Sequence, residues 1–273
     1  MASLPLYVVD SFAHSPFSGN PAGVVLLEKP LPDEKMRLIA AEMRHAETAF
    51  VEPALSDPSV RKLRWFTPEV EVDLCGHATL ATAAVLFGPG DFQGPELRFQ
   101  TRSGELIVRR TKEAGYYDMD LPVHLPIKNY VGSDLLMALG LKKAFESYVS
   151  EKHFQVIVVS EDVDIRKLTP DFVALRKVKY EKGADGVIVT RKGPAPYDFT
   201  SRMFAPAIGI DEDPVTGSAH TVLAPLWAEK LGTRQFRAFQ ASMRGGELMI
   251  ELRDTRVGVA GRAHIIVQGT IHF

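Results

Sequence analysis

Short runs in which apolar and polar positions alternate, or in which β-branched and aromatic residues cluster, recur through the first half of the chain. They are LYVVDSF (6–12), AGVVLLE (22–28), TAFVEP (48–53), LRWFTP (63–68), ELRFQT (96–101), ELIVRR (105–110) and YYDMDLP (116–122). This period of two predicts strands. Helical periodicity is rarer. Residues 33–45 place Met36, Ile39, Ala40 and Met43 on one face, with Asp33 as the expected N-cap. Residues 77–87, HATLATAAVLF, are apolar on nearly every face, which predicts a helix enclosed by protein. A second such helix is predicted over 218–232, closed by Gly232 as a C-cap.

The second half repeats the first. Arg64-Trp65-Phe66-Thr67-Pro68 returns as Arg202-Met203-Phe204-Ala205-Pro206, Gly76-His77-Ala78 as Gly217-Ser218-Ala219, and Gly104-Glu105-Leu106 as Gly246-Glu247-Leu248, at offsets of 138, 141 and 142 residues. A period this long predicts two similar domains and not a solenoid, whose repeats run to about 20–50 residues. The prolines of 122–129 mark the expected boundary, giving domains 1–124 and 125–263, with a last strand, 264–273, crossing back onto the first. Each domain is expected to wrap strands around one apolar helix, an α+β architecture with a cleft between the halves.

Composition narrows the classes of function. With 45% apolar residues in 273, the chain can bury a large core. Its 32 basic and 34 acidic residues leave a formal charge of −2 and no long run of one sign, which gives no electrostatic case for nucleic acid or an anionic membrane. The N-terminal stretch has no basic leader, the longest apolar run is too short to span a bilayer, and a single cysteine excludes a disulfide framework or a zinc site built on several cysteines. A reducing, cytoplasmic setting is the simplest expectation.

The candidate chemistry gathers at the two helix starts. A helix N-terminus offers unpaired N–H groups and partial positive charge, so Gly76 and Gly217 with Ser218 either hold a substrate anion or simply turn the chain into buried helices. Asp213, extended before Pro214, either caps the turn or orients a substrate group. His77 is either a satisfied core residue or a neutral hydrogen-bonding ring at the helix start; neither it nor His220 has neighbours at metal-ligand spacing. Glu47, between the first helix and a strand, is either a solvated helix-end carboxylate or an inward-facing one suited to proton transfer. Cys75, the only cysteine, is either a small hydrophobe or a reactive thiol.

Together, Asn20-Pro21-Ala22, Glu47-Thr48-Ala49-Phe50, Arg64-Trp65-Phe66-Thr67-Pro68, Cys75-Gly76-His77-Ala78-Thr79, Asp213-Pro214-Val215-Thr216-Gly217-Ser218-Ala219-His220 and Gly245-Gly246-Glu247-Leu248 resemble the phenazine-biosynthesis PhzF-like family. Within it, the chain looks most like the animal phenazine-biosynthesis-like domain-containing proteins, also called MAWD-binding proteins. The resemblance implies the diaminopimelate epimerase-like fold: two pseudo-symmetric domains, each a barrel-like, mostly antiparallel sheet around a central helix. It implies an isomerase that shifts a proton on a small carboxylated substrate without cofactor or metal. Glu47 matches the family's general acid/base, and Gly76, His77, Asp213, Gly217 and Ser218 match its pocket positions. Related epimerases carry a thiol at each helix start; here Cys75 stands at the first and Thr216 at the second. Two alternatives stay open: an unequal two-base epimerase or racemase pairing Cys75 with a carboxylate, and a non-catalytic scaffold with a WD-repeat partner. Family members often form homodimers.

Overall fold

The computed structural model describes residues 3–54, 56–90, 92–150, 154–180, 184 and 186–273. The chain divides into two compact units, Met1–Leu121 with Ala260–Phe273, and Pro122–Val259.

The first unit contains β1 (Ser3–Ser11), β2 (Asn20–Leu26), α1 (Asp33–Met43), β3 (Thr48–Val51), β4 (Val60–Phe66), β5 (Glu71–Val72), α2 (Gly76–Phe87), β6 (Glu96–Thr101), β7 (Gly104–Arg110) and β8 (Tyr116–Pro122). Pairing runs β1–β2 antiparallel, β2–β3 parallel, β3–β4 antiparallel, β4–β6 parallel, then β6–β7 and β7–β8 antiparallel. The long last strand, β17 (Arg256–His272), pairs with both β8 and β1 and so closes an eight-stranded barrel. Alternating side chains fill it: Leu63 and Trp65, Leu97 and Phe99, Leu106 and Val108, Met119 and Leu121 are all buried. Inside lies α2, every one of whose twelve residues is buried, as its unbroken apolar character requires. Each fully enclosed leucine there contributes roughly 1.5–3 kcal/mol.

The second unit contains β9 (Pro126–Lys128), α3 (Ser133–Ala138), β10 (Glu146–Ser150), β11 (Phe154–Val158), α4 (Phe172–Leu175), β12 (Gly186–Lys192), β13 (Phe199–Ala205), β14 (Ile210–Asp213), α5 (His220–Leu231), β15 (Gln235–Gln240) and β16 (Gly246–Leu252). From β10 onward its pairings repeat the first unit's in order and sense: antiparallel, parallel, antiparallel, then a parallel β13–β15 pair spanning α5, then antiparallel β15–β16. The duplication is therefore one of topology as well as of sequence.

The repeated Arg-x-Phe motif has a physical meaning in each unit. Arg64 forks onto Glu71 of β5 at 2.8 and 2.6 Å and lies over the Phe66 ring at 5.1 Å. Arg202 does the same with Glu212 of β14, at 2.7 and 2.8 Å, and with Phe204 at 4.8 Å. A planar guanidinium suits both contacts at once. The pairs pin the short strands β5 and β14, which lead into the two helix starts.

Two expectations of local structure are revised. Asp33 is the first residue of α1 and not its N-cap; Pro32 holds the cap position without a side-chain bond, and the Asp33 carboxylate instead meets Arg64 at 2.8 Å. The second buried helix begins at His220, after a 3₁₀ turn over Gly217–Ala219, and ends as expected on left-handed Gly232 (φ 68°). Pro225 lies within α5 and cannot donate to Thr221; the freed Thr221 carbonyl takes the His124 N–H at 3.1 Å.

Candidate active site

In the first unit three predicted residues converge. α1 ends where Arg44 turns left-handed (φ 54°), and the following residues carry Glu47 to the edge of β3. Glu47 is 8% exposed, so the inward orientation holds and the solvated one does not. Cys75 is extended (φ −143°) and precedes Gly76, the first residue of α2, putting His77 in the opening turn. The imidazole then lies between the other two groups: its Nδ1 is 3.5 Å from Cys75 Sγ, and its Nε2 is 3.4 Å from Glu47 Oε2. One ligand atom from each of the three lies within 4.8 Å of the others. Metal-ligand spacing is absent from the linear sequence, yet folding produces a three-donor set.

Burial pushes His77 down to about 3, and the charge of His45 adds to the effect. At neutral pH the ring is therefore neutral. Its Nε2 makes no hydrogen bond among the described residues. Ser11 fixes the helix start by donating from Oγ to the His77 carbonyl at 2.8 Å, while the Cys75 carbonyl accepts from Thr79 Oγ1 at 2.6 Å.

The second unit builds the matched turn differently. Thr216, extended like Cys75 (φ −109°), donates its hydroxyl to Asp213 Oδ2 at 2.5 Å. Asp213 ends β14 and is 8% exposed. Gln240 clasps the turn from β15: its Oε1 accepts the Thr216 N–H at 2.8 Å, and its Nε2 donates to the Asp213 carbonyl at 2.7 Å. Ser242 Oγ holds the Pro214 carbonyl at 2.7 Å. His220, fully enclosed, sets Nδ1 3.0 Å from the Thr216 carbonyl; burial lowers it to about 4 despite that bond.

Ser11, Gln240 and Ser242 have no counterpart among the predicted site residues. Each is a neutral polar side chain whose role depends on strand pairing far along the chain, and no local motif marks it. A groove of about 620 Å³ on the second unit, beside Tyr130, Lys142 and Phe145, contains none of the predicted residues.

Residues 9–269 match the family described as phenazine biosynthesis-like protein, PhzC-PhzF. The chain belongs to this family. An uncharacterized isomerase of Pseudomonas aeruginosa is 46% identical over 269 residues, covering 98% of this chain and 99% of its own. The human phenazine biosynthesis-like domain-containing protein is 40% identical over 284 residues, covering 98% and 99%. The expected likeness to the animal proteins is present at 40% identity, and the bacterial relative is nearer still at 46%. The crystal structure of a PhzF-family protein from Enterococcus faecalis superposes with a TM-score of 0.91 at 41% identity, covering all of both chains. At 12% identity and a TM-score of 0.65, a hydroxyproline epimerase of Agrobacterium vitis shares the fold over 98% of this chain and 92% of its own. The fold is thus the sheet-rich α+β type that this epimerase shares, and the protein is an enzyme of the isomerase class. No described helix is long and apolar enough to cross a membrane.

Proposed function

We propose that the protein is a cofactor-independent isomerase that shifts a proton within a small carboxylated substrate, with Glu47 taking and returning it. The observation that carries this reading is a buried carboxylate set 3.4 Å from a neutral imidazole at the start of an enclosed helix. The Gly76 and His77 amides at that helix end suit a substrate carboxylate and the enolate-like charge that forms when an adjacent C–H ionises. A neutral His77 beside Glu47 does not hold it as an ion pair. In the second unit, Gly217 and Ser218 offer amides of the same kind, and Asp213, held by Thr216, orients a substrate polar group.

The separation of Cys75 and Glu47 favours one base over that pair of bases. A carbon inverted between two bases, each about 3–3.5 Å away, needs them roughly 6–7 Å apart on opposite faces. Cys75 Sγ and the Glu47 carboxylate lie within 4.8 Å on one cluster. At the position matching Cys75, Thr216 already spends its hydroxyl on Asp213.

Small unsaturated carboxylates incubated with the protein in deuterated water and followed by NMR test the reading. The expected result is the shifted isomer with no inverted product, and loss of turnover in Glu47→Gln while the acid still raises the melting temperature. Unimpaired turnover in Glu47→Gln, or a mirror-image product, would overturn it.

A further inference from the structure

The Glu47, Cys75 and His77 cluster has a second chemistry that proton transfer leaves unused. It joins one carboxylate, one thiol and one imidazole, the donor types that zinc takes at about 2.0–2.2 Å for oxygen, 2.3 Å for sulfur and 2.0–2.1 Å for nitrogen. Tetrahedral bonds of those lengths set neighbouring donors roughly 3.4–3.6 Å apart. The Cys75 Sγ to His77 Nδ1 distance is 3.5 Å and the His77 Nε2 to Glu47 Oε2 distance is 3.4 Å; only one ring nitrogen binds the ion, so one of the two already has the length of a coordination edge. One ligand atom from each residue lies within 4.8 Å of the others, so the two remaining edges close by side-chain rotations. A second observation points the same way: the His77 side chain is only 6% exposed, and its Nε2, facing Glu47, makes no hydrogen bond among the described residues. Three protein donors also leave one coordination position open.

We propose that Glu47, Cys75 and His77 form a binding site for a thiophilic divalent metal ion, Zn2+ or Cd2+, whose occupancy withdraws Glu47 from proton transfer. The binding stands on the donor set alone; the inhibition rests on the acid–base reading of Glu47. Coordination displaces the Cys75 thiol proton to solvent and leaves the thiolate bound, with no redox change.

Because Cys75 is the only cysteine, a thiolate-to-metal absorption band can come from no other residue. Titrating the full chain with Cd2+ is expected to give a saturable ultraviolet band at one ion per chain, bleached by Zn2+. Cys75→Ser removes the band, and Glu47→Gln and His77→Asn each weaken Cd2+ binding by about tenfold or more. Melting curves without metal establish that each variant is folded. A missing band in the wild-type protein overturns the proposal, as does a band of unchanged affinity in folded Glu47→Gln and His77→Asn, which would mean binding to the thiol alone. Where turnover is measurable, Zn2+ slows the wild-type protein, a chelator restores it, and Cys75→Ser is insensitive; undiminished turnover at saturating Zn2+ overturns the inhibitory half. The absorbance is read without substrate, so failure of the isomerase reading and failure of the metal site are separable.

Discussion

His77 Nε2 stands 3.4 Å from Glu47 Oε2, and the imidazole is neutral where the two meet. A charged ring there would hold Glu47 as a permanent ion pair. A neutral ring leaves the carboxylate free to cycle between its two protonation states. His77→Phe preserves the ring's bulk and removes its polarity, so kcat is expected to fall about 10²-fold or more with little loss of stability. His77→Asn is expected to retain more activity than His77→Phe, a ranking that core packing alone would not produce. Steady-state kinetics beside urea unfolding checks both.

Acid is expected to destabilise the fold through its buried histidines. His77 and His220 stay neutral down to about 3 and about 4 when folded, against an ordinary value of 6.5. Between those limits the unfolded chain binds more protons than the native one. Their contribution is therefore fully present above about pH 6.5 and is lost as the pH falls, by up to about 1.4 kcal/mol per pH unit for each histidine. Urea midpoints measured across this window should fall less steeply in His220→Asn than in the wild-type protein. A parallel pair of curves would contradict the assignment.

Arg202 is the more costly of the two matched arginines to remove. Besides Glu212 it satisfies the carbonyls of Ile165 at 2.9 Å and Leu168 at 2.8 Å, and its side chain is 9% exposed against 17% for Arg64. Arg202→Met strands a carboxylate and two carbonyls and should cost about 3–5 kcal/mol. Arg64→Met should cost less. Arg202→Lys should recover only part of the loss, since a single ammonium cannot reproduce the fork.

Gln240 holds both ends of the turn that positions Asp213. Gln240→Leu keeps much of the volume while leaving the Thr216 N–H and the Asp213 carbonyl without their present partner, at about 1–3 kcal/mol in urea unfolding. Because the turn loosens beside Asp213, turnover is expected to fall along with stability. Gln240→Glu keeps the acceptor for Thr216 and should be milder.

The strands, both enclosed helices and the duplication were legible because each leaves a periodic or repeated mark: alternation in β6 to β8, unbroken apolarity in α2, and Arg-x-Phe at 64 and 202. What joins distant residues left none. Glu47 and Cys75 are 28 positions apart and meet because β3 and the start of α2 lie side by side in one barrel. Gln240 reaches Thr216 because β15 pairs in parallel with β13 across α5, bringing Ser201 opposite Gln240. Asp33 departs from the expected cap for a similar reason: its helix-start signal is genuine, but a guanidinium from another strand competes successfully for the carboxylate.

The single strand β17 belongs to the second unit through Arg256–Val259 and to the first from Ala260 onward, where it supplies the stave between β8 and β1. During synthesis the first barrel must wait, one stave short and with two unpaired edges, until all of 122–259 has followed it off the ribosome. The N-terminal half of this gene product is thus an assembly completed by its own C-terminal tail, and expressing 1–121 alone removes the strand that closes the wall around α2.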